Sequence, residues 1–152
     1  MLLGMDAPAY RPSWLQRRAN VILTRLLHKG KGPPFMRLLT VRGRRTGRAH
    51  TTPVVPVLDD DGAWVVSPFG EVGWVRNARA TGQIELARGA DATTYAAREV
   101  DAGEAVPVLR RYLALPARFF VRRHVEVTKA SSDEAIAAEA AHIPVFELTP
   151  MR

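Results

Sequence analysis

The chain of 152 residues is long enough for one domain with its own core, and 47% hydrophobic and 24% charged residues are ordinary for a globular protein. It contains no cysteine, which excludes disulfides, thiolate nucleophiles and thiolate metal ligands. With 22 Lys+Arg against 15 Asp+Glu the net charge is +7, a field that favours a phosphorylated cofactor, a lipid surface or a nucleic acid.

Met1 to Tyr10 lacks the charged start and apolar centre of a signal peptide, and no apolar run is long enough to span a bilayer. Together with the missing cysteines, this suits a cytoplasmic address. Ser13 is placed to cap a helix reaching about Lys29. Leu15, Ala19, Ile22, Leu23 and Leu26 share one face of it, with Arg17, Thr24, Arg25 and His28 opposite. That face either packs on the domain or, led by Trp14, lies on the inner face of an anionic cell membrane as a peripheral contact through residues 13–29. Gly30 to Pro34 stops the helix.

Phe35 to Arg42 reads as a strand that empties into a glycine-bounded turn carrying Arg42, Arg44, Arg45 and Arg48. Pro53 to Leu58 is the next strand, Asp59-Asp60-Asp61-Gly62 a tight turn, and Ala63 to Ser67 its partner. Trp74 to Ala80 forms a short helix ended by Gly82. Gln83 to Arg88 and Ala92 to Val100 pair through Gly89-Ala90-Asp91. Asp101 with Glu104 resembles a capping box for a helix reaching towards Leu115, and a cap at about Glu104 brings Pro107 into the first turn. The segment around Phe119 and Phe120 carries no assignable pattern. Ser131 with Glu134 opens a last helix to about His142, and Ile143 to Thr149 closes the chain as a strand. The sum is α+β, with about six mostly antiparallel strands and flanking helices, as in a small closed or split barrel. Neither repeat nor linker divides it, so residues 1–152 form one domain: helix and linker over 1–34, barrel with helices over 35–152.

The basic turn suits an anion. Its glycines let backbone N–H groups approach closely and its arginines offer paired donors. It is not a nucleotide-hydrolase phosphate loop, because no Gly-Lys-Ser/Thr ending or helix follows. His28, His50, His124 and His142 lack metal-ligand spacing, Asp59 to Asp61 are explained as a turn, and no metal is expected. Nucleic acid is not expected either, since no aromatic series accompanies the arginines. With no nucleophile elbow or acid–base pair in view, an enzyme of this sequence would borrow its reactivity from a cofactor.

Gly43-Arg44-Arg45-Thr46-Gly47, His50 and Pro53, then Ser67-Pro68-Phe69-Gly70, then Trp74-Val75-Arg76-Asn77 with Ala80, resemble in order and spacing the deazaflavin (F-420)-dependent nitroreductase family. Its members are also described as F-420-dependent quinone reductases, within the flavin-binding split-barrel superfamily. The resemblance implies a split β-barrel and hydride transfer from C5 of reduced coenzyme F-420 to a small-molecule acceptor. It places the coenzyme's anionic tail on Arg44, Arg45, Thr46, Gly47 and His50, with Pro53, Val54 and Val55 along the ring. Ser67, Pro68, Phe69 and Gly70 border the other side of that ring, and Trp74 either walls the pocket or packs the core. Asn77 joins loop to helix.

His50 stands where the family usually has arginine, and Pro68 where a basic residue is common. The loop from Ser67 to Trp74 is shorter than in the nitroreductases. Phe119 and Phe120 replace tyrosines, leaving Tyr112 as the nearest phenol on the substrate side. A quinone or activated alkene therefore suits this chain better than a nitro compound. Two other readings stay open: an FMN-binding oxidoreductase, and a non-catalytic membrane-surface binder of lipid, quinone or tetrapyrrole. The protein is expected as a monomer or homodimer.

Overall fold

Seven strands form one antiparallel sheet in the computed structural model, which describes residues 13–116 and 125–152. The strands are β1 (Arg37–Arg42), β2 (Ala49–Val54), β3 (Val57–Asp59), β4 (Gly62–Val66), β5 (Gln83–Arg88), β6 (Asp91–Glu99) and β7 (Val145–Pro150), in the order β2-β1-β5-β6-β7-β4-β3. Only Val55 and Pro56 separate β2 from β3, yet these two strands are the opposite edges. The step from Val54 to Val57 spans at most about 10 Å. It joins the two edges only because the sheet curls back on itself. The result is a split barrel bridged by chain where the β2–β3 hydrogen bonds would be.

One expected strand is therefore two. Pro53 to Leu58 reads as a single apolar run, but Val55-Pro56 divides it between the end of β2 and the start of β3. β2 also begins earlier, at Ala49. His50, Thr51 and Thr52 pair with Val41, Thr40 and Leu39, and the Thr40 and Thr51 hydroxyls lie 2.8 Å apart. This half of β2 is polar and largely exposed, so hydrophobicity could not reveal it.

β4 and β7 are covered on both faces, which is why Val65-Val66 and Val145-Phe146 are unbroken apolar runs. Val65 and Phe146 point into the barrel, where Val75 and Ala78 of α2 (Gly73–Thr81) plug one opening. Val66 and Val145 point outward against α3 (Ala102–Leu113) and α4 (Asp133–Ala140).

The helix caps bear out Asp101 and correct two other expectations, a cap at about Glu104 with Pro107 in the first turn and a cap at Ser131. α3 is capped by Asp101, whose Oδ1 accepts the Glu104 N–H at 2.8 Å. Pro107 thus sits inside the helix, where it cannot donate to the Gly103 carbonyl. α4 is capped by Ser132 rather than Ser131, because the Ser131 hydroxyl already accepts the Thr128 N–H at 2.9 Å in the preceding turn.

α1 (Trp14–His28) starts at Ser13 with a reciprocal Ser13–Gln16 cap. Leu27 is fully buried at its far end, and the Gly89 N–H donates to the Leu27 carbonyl at 2.8 Å. Arg88 holds the Gly32 and Pro33 carbonyls, each at 2.8 Å. The first half of the helix is exposed. Trp14, Leu15, Val21 and Ile22 are 63%, 63%, 51% and 58% exposed, so the expected apolar face is mostly uncovered. Among the described residues no helix is long and apolar enough to cross a membrane.

Candidate functional site

The β1–β2 turn is closed by the Gly43 N–H on the Arg48 carbonyl at 2.7 Å and the Gly47 N–H on the Gly43 carbonyl at 2.9 Å. Gly47 adopts φ 72°, a left-handed conformation that glycine reaches without strain. Gly43 has a different reason: an added Cβ would lie 3.0 Å from His50 Nε2, so the imidazole rests over it. Arg44, Arg45, Thr46, Gly47, Arg48 and His50 are all exposed. Arg42 donates to the Gly47 carbonyl at 3.2 Å and so braces the turn.

The charges of this turn are unbalanced. Among the described residues, ion pairs engage Arg79, Arg98, Arg110 and Arg111, and none engages Arg42, Arg44, Arg45 or Arg48. Arg44 is nevertheless committed in part. Its backbone N–H and its Nη1 both donate to Asn77 Oδ1 on α2, at 3.1 and 2.8 Å. Among the described residues the Arg45 and Arg48 side chains have no such tie, which makes them the freer anion donors.

β2 carries the site away from the turn. From His50 to Val55 the extended chain covers about 17 Å. At the far end Val55 and Phe69 pack on the outer core with Tyr112, and Pro68 lines an apolar crevice with Val66, Leu109, Tyr112 and Ile143. Burial pushes the Tyr112 phenol up to about 12, so it keeps its proton at neutral pH. Val54 and Trp74 instead pack on the barrel interior, where the Trp74 and Phe146 rings lie 5.8 Å apart. Pro53 is half-buried on the same edge strand. Phe119 and Phe120 lie outside the described residues.

Ser67 is buried within its loop. Its N–H donates to the Pro144 carbonyl at 2.9 Å and its hydroxyl to the Gly70 carbonyl at 2.6 Å. Gly70 has φ 81° and the Val72 N–H returns to its carbonyl at 2.9 Å. The chain then enters α2 without a side-chain cap and without an acid in the first turn. The Gly73 and Trp74 N–H groups therefore stand at the positive end of the helix dipole, which favours negative charge.

A cationic turn thus opens edge strand β2, and beyond the far end of that strand Val55 packs on the outer core with Phe69 and Tyr112. Residues 11–139 match the model of the family described as F420H(2)-dependent quinone reductase. The chain belongs to that family. It is an F420-dependent reductase, and coenzyme F420 is its cofactor, with FMN reduced to a minor alternative. The F420-H2 dependent reductase FDR-A is similar in fold, at 17% identity and a TM-score of 0.55, covering 76% of this chain and 95% of that one. A domain-swapped dimer is similar at 18% identity and 0.56, covering 90% and 97%. The heme storage protein HutZ from Vibrio cholerae is similar at 13% and 0.50, covering 78% and 82%. No curated protein matches the chain significantly.

The donor set fits the coenzyme. Among the described residues, guanidinium groups without ion pairs and exposed turn donors suit its anionic tail. Sequence reasoning missed the open α2 N-terminus, whose only signal is Val72-Gly73 where a capping side chain usually stands, and the loop contacts of Glu71 and Arg79.

Proposed function

We propose that this reductase reduces a hydrophobic, electrophilic small molecule, such as a quinone or an activated alkene. Bound in reduced form, the coenzyme supplies the hydride. The observation that carries the reading is β2 itself, with unpaired arginines at one end and the Val55, Pro68, Phe69 and Tyr112 group at the other. Arg45, Thr46, Gly47 and His50, with the remaining donors of Arg44, hold the tail. The backbone of Pro53, Val54 and Val55 lies along the ring, while Ser67, Pro68, Phe69 and Gly70 border its other side through backbone groups. Trp74 sets the interior wall on which this edge rests. Tyr112 keeps its proton and stands on the acceptor side, with Phe119 and Phe120 as its expected companions.

Titration with F420 tests the first half through quenching of its fluorescence. A water-soluble quinone and a nitroaromatic compound compared as acceptors test the second. Folded protein that leaves the fluorescence unchanged defeats the proposal, and faster turnover of the nitro compound removes the acceptor assignment.

A second element concerns location. α1 carries Arg17, Arg18 and Arg25 and no Asp or Glu, beside exposed Trp14, Leu15, Val21 and Ile22. Such a helix suits an anionic lipid surface, so the protein is read as cytoplasmic with a peripheral contact on the membrane's inner face through residues 13–29. Hydrophobic acceptors partition into that surface. The domain-swapped neighbour leaves homodimer beside monomer as the expected state.

A further inference from the structure

Beyond the tail and ring contacts, the Ser67–Val72 loop has a tie of its own. Its first half is held by Ser67, on the Pro144 carbonyl ahead of β7 and on the Gly70 carbonyl within the loop. Its second half follows Gly70, whose left-handed backbone makes it the joint between the two halves. There Glu71 is gripped by one guanidinium in a two-pronged contact, Arg79 Nη1 to Oε2 at 2.9 Å and Nη2 to Oε1 at 3.0 Å. The same Nη2 reaches Glu99 Oε2 at 2.6 Å, at the end of β6. Loop, α2 and sheet are thus joined through a single side chain.

The three side chains are 42%, 53% and 36% exposed, so their attraction contributes little to global stability. Its effect is positional. A planar fork shared by two carboxylates fixes direction as well as distance, which an ammonium group does not. Glu71 immediately precedes Val72, the residue from which the open N-terminus of α2 begins. Displacing Glu71 therefore moves both the loop backbone and the Gly73 and Trp74 N–H groups.

We propose that Arg79 is a positioning residue, latching Glu71 to Glu99 so that the Ser67–Val72 loop is set before the coenzyme arrives. The proposal rests on the reading that this loop borders the ring.

The experiment compares wild type, Arg79→Gln, Arg79→Lys and Glu99→Gln by hydrogen–deuterium exchange without coenzyme, by F420 fluorescence titration and by thermal melting. Arg79→Gln is expected to speed exchange of the Gly70 to Trp74 amides several-fold and to weaken F420 binding by roughly tenfold, with the melting midpoint almost unchanged. Arg79→Lys and Glu99→Gln fall between it and wild type. Unchanged exchange in Arg79→Gln overturns the latch, as does a lowered midpoint with faster exchange throughout the strands. Faster loop exchange with unaltered F420 affinity overturns the link to the coenzyme. If wild type itself does not bind F420, the functional reading fails, while the exchange data still decide whether Arg79 holds the loop.

Discussion

Asn77 Oδ1 receives two bonds from Arg44, one from its backbone N–H at 3.1 Å and one from its guanidinium at 2.8 Å. Asn77 is buried, and the Thr81 hydroxyl donates to its backbone carbonyl at 2.9 Å. The cationic turn is therefore held to α2 through one amide oxygen. Asn77→Ala is expected to destabilise the protein by about 1–3 kcal/mol, the range for losing a buried hydrogen-bonding group, and to weaken F420 binding as well. Denaturant melts and fluorescence titration measure the two effects, and an unchanged melt contradicts the structural half.

Arg45 has no partner of this kind, so its removal separates binding from stability. Arg45→Ala is expected to weaken F420 binding by roughly 1–3 kcal/mol with little change in melting temperature, and Arg48→Ala to act in the same direction. Arg44→Ala lowers both quantities. Added salt should weaken wild-type binding more than that of Arg45→Ala. Equal affinity for wild type and Arg45→Ala means that the tail is anchored elsewhere.

Tyr112 supplies a pH test. Its folded-state value of about 12 lies above the ordinary 10.0, so its contribution is complete below pH 10 and is lost as pH rises towards 12. The loss is on the order of 2 kcal/mol for a shift of this size. Wild type should show a late tyrosinate titration and a stability decline in that window. Tyr112→Phe should show neither, and should slow acceptor turnover more than it weakens F420 binding. Identical alkaline melting curves for the two proteins refute the assignment.

Gly89 meets Gly30 backbone to backbone. A Cβ there would stand 3.1 Å from Gly30 Cα, in a residue with φ 58°. Gly89→Ala is expected to cost at least about 1 kcal/mol and to loosen the last turn of α1, where Leu27 is docked. Faster amide exchange at Gly89 and through Leu26 to Gly30, with α3 unaffected, is the signature.

The exposed start of α1 is tested with lipid vesicles. Trp14→Glu with Ile22→Glu should abolish flotation on anionic vesicles while leaving turnover of a water-soluble quinone intact. Wild type should float less as salt rises or as anionic lipid is removed. Equal flotation of the two proteins places the contact outside this helix.

Much of this protein was legible along the chain because its signals are local. Ser13 and Asp101 announce helices through bonds made within one turn, and Gly82 ends α2 in a left-handed backbone that glycine tolerates. The runs Val65-Val66 and Val145-Phe146 mark strands covered on both faces. The arginine-rich turn, the Ser67–Gly70 loop and the Trp74–Asn77 segment were visible as motifs. The polar half of β2 was not, since its regularity lies in pairing with β1 rather than in its own residues.

Tertiary structure alone decided how these pieces meet. Local order in the chain said nothing of Val55-Pro56 joining opposite edges of one sheet, of Arg44 being tied to Asn77 while no described residue ties the Arg45 side chain, or of Arg79 bridging Glu71 and Glu99. Arg44 and Asn77 are 33 residues apart and Arg79 and Glu99 20. The Val55-Pro56 link closes two edges only because the whole sheet curls, so none of the three is written in one segment. Propensity and periodicity describe what a segment does alone, whereas the division of labour among equal charges is set by whatever lies across the fold.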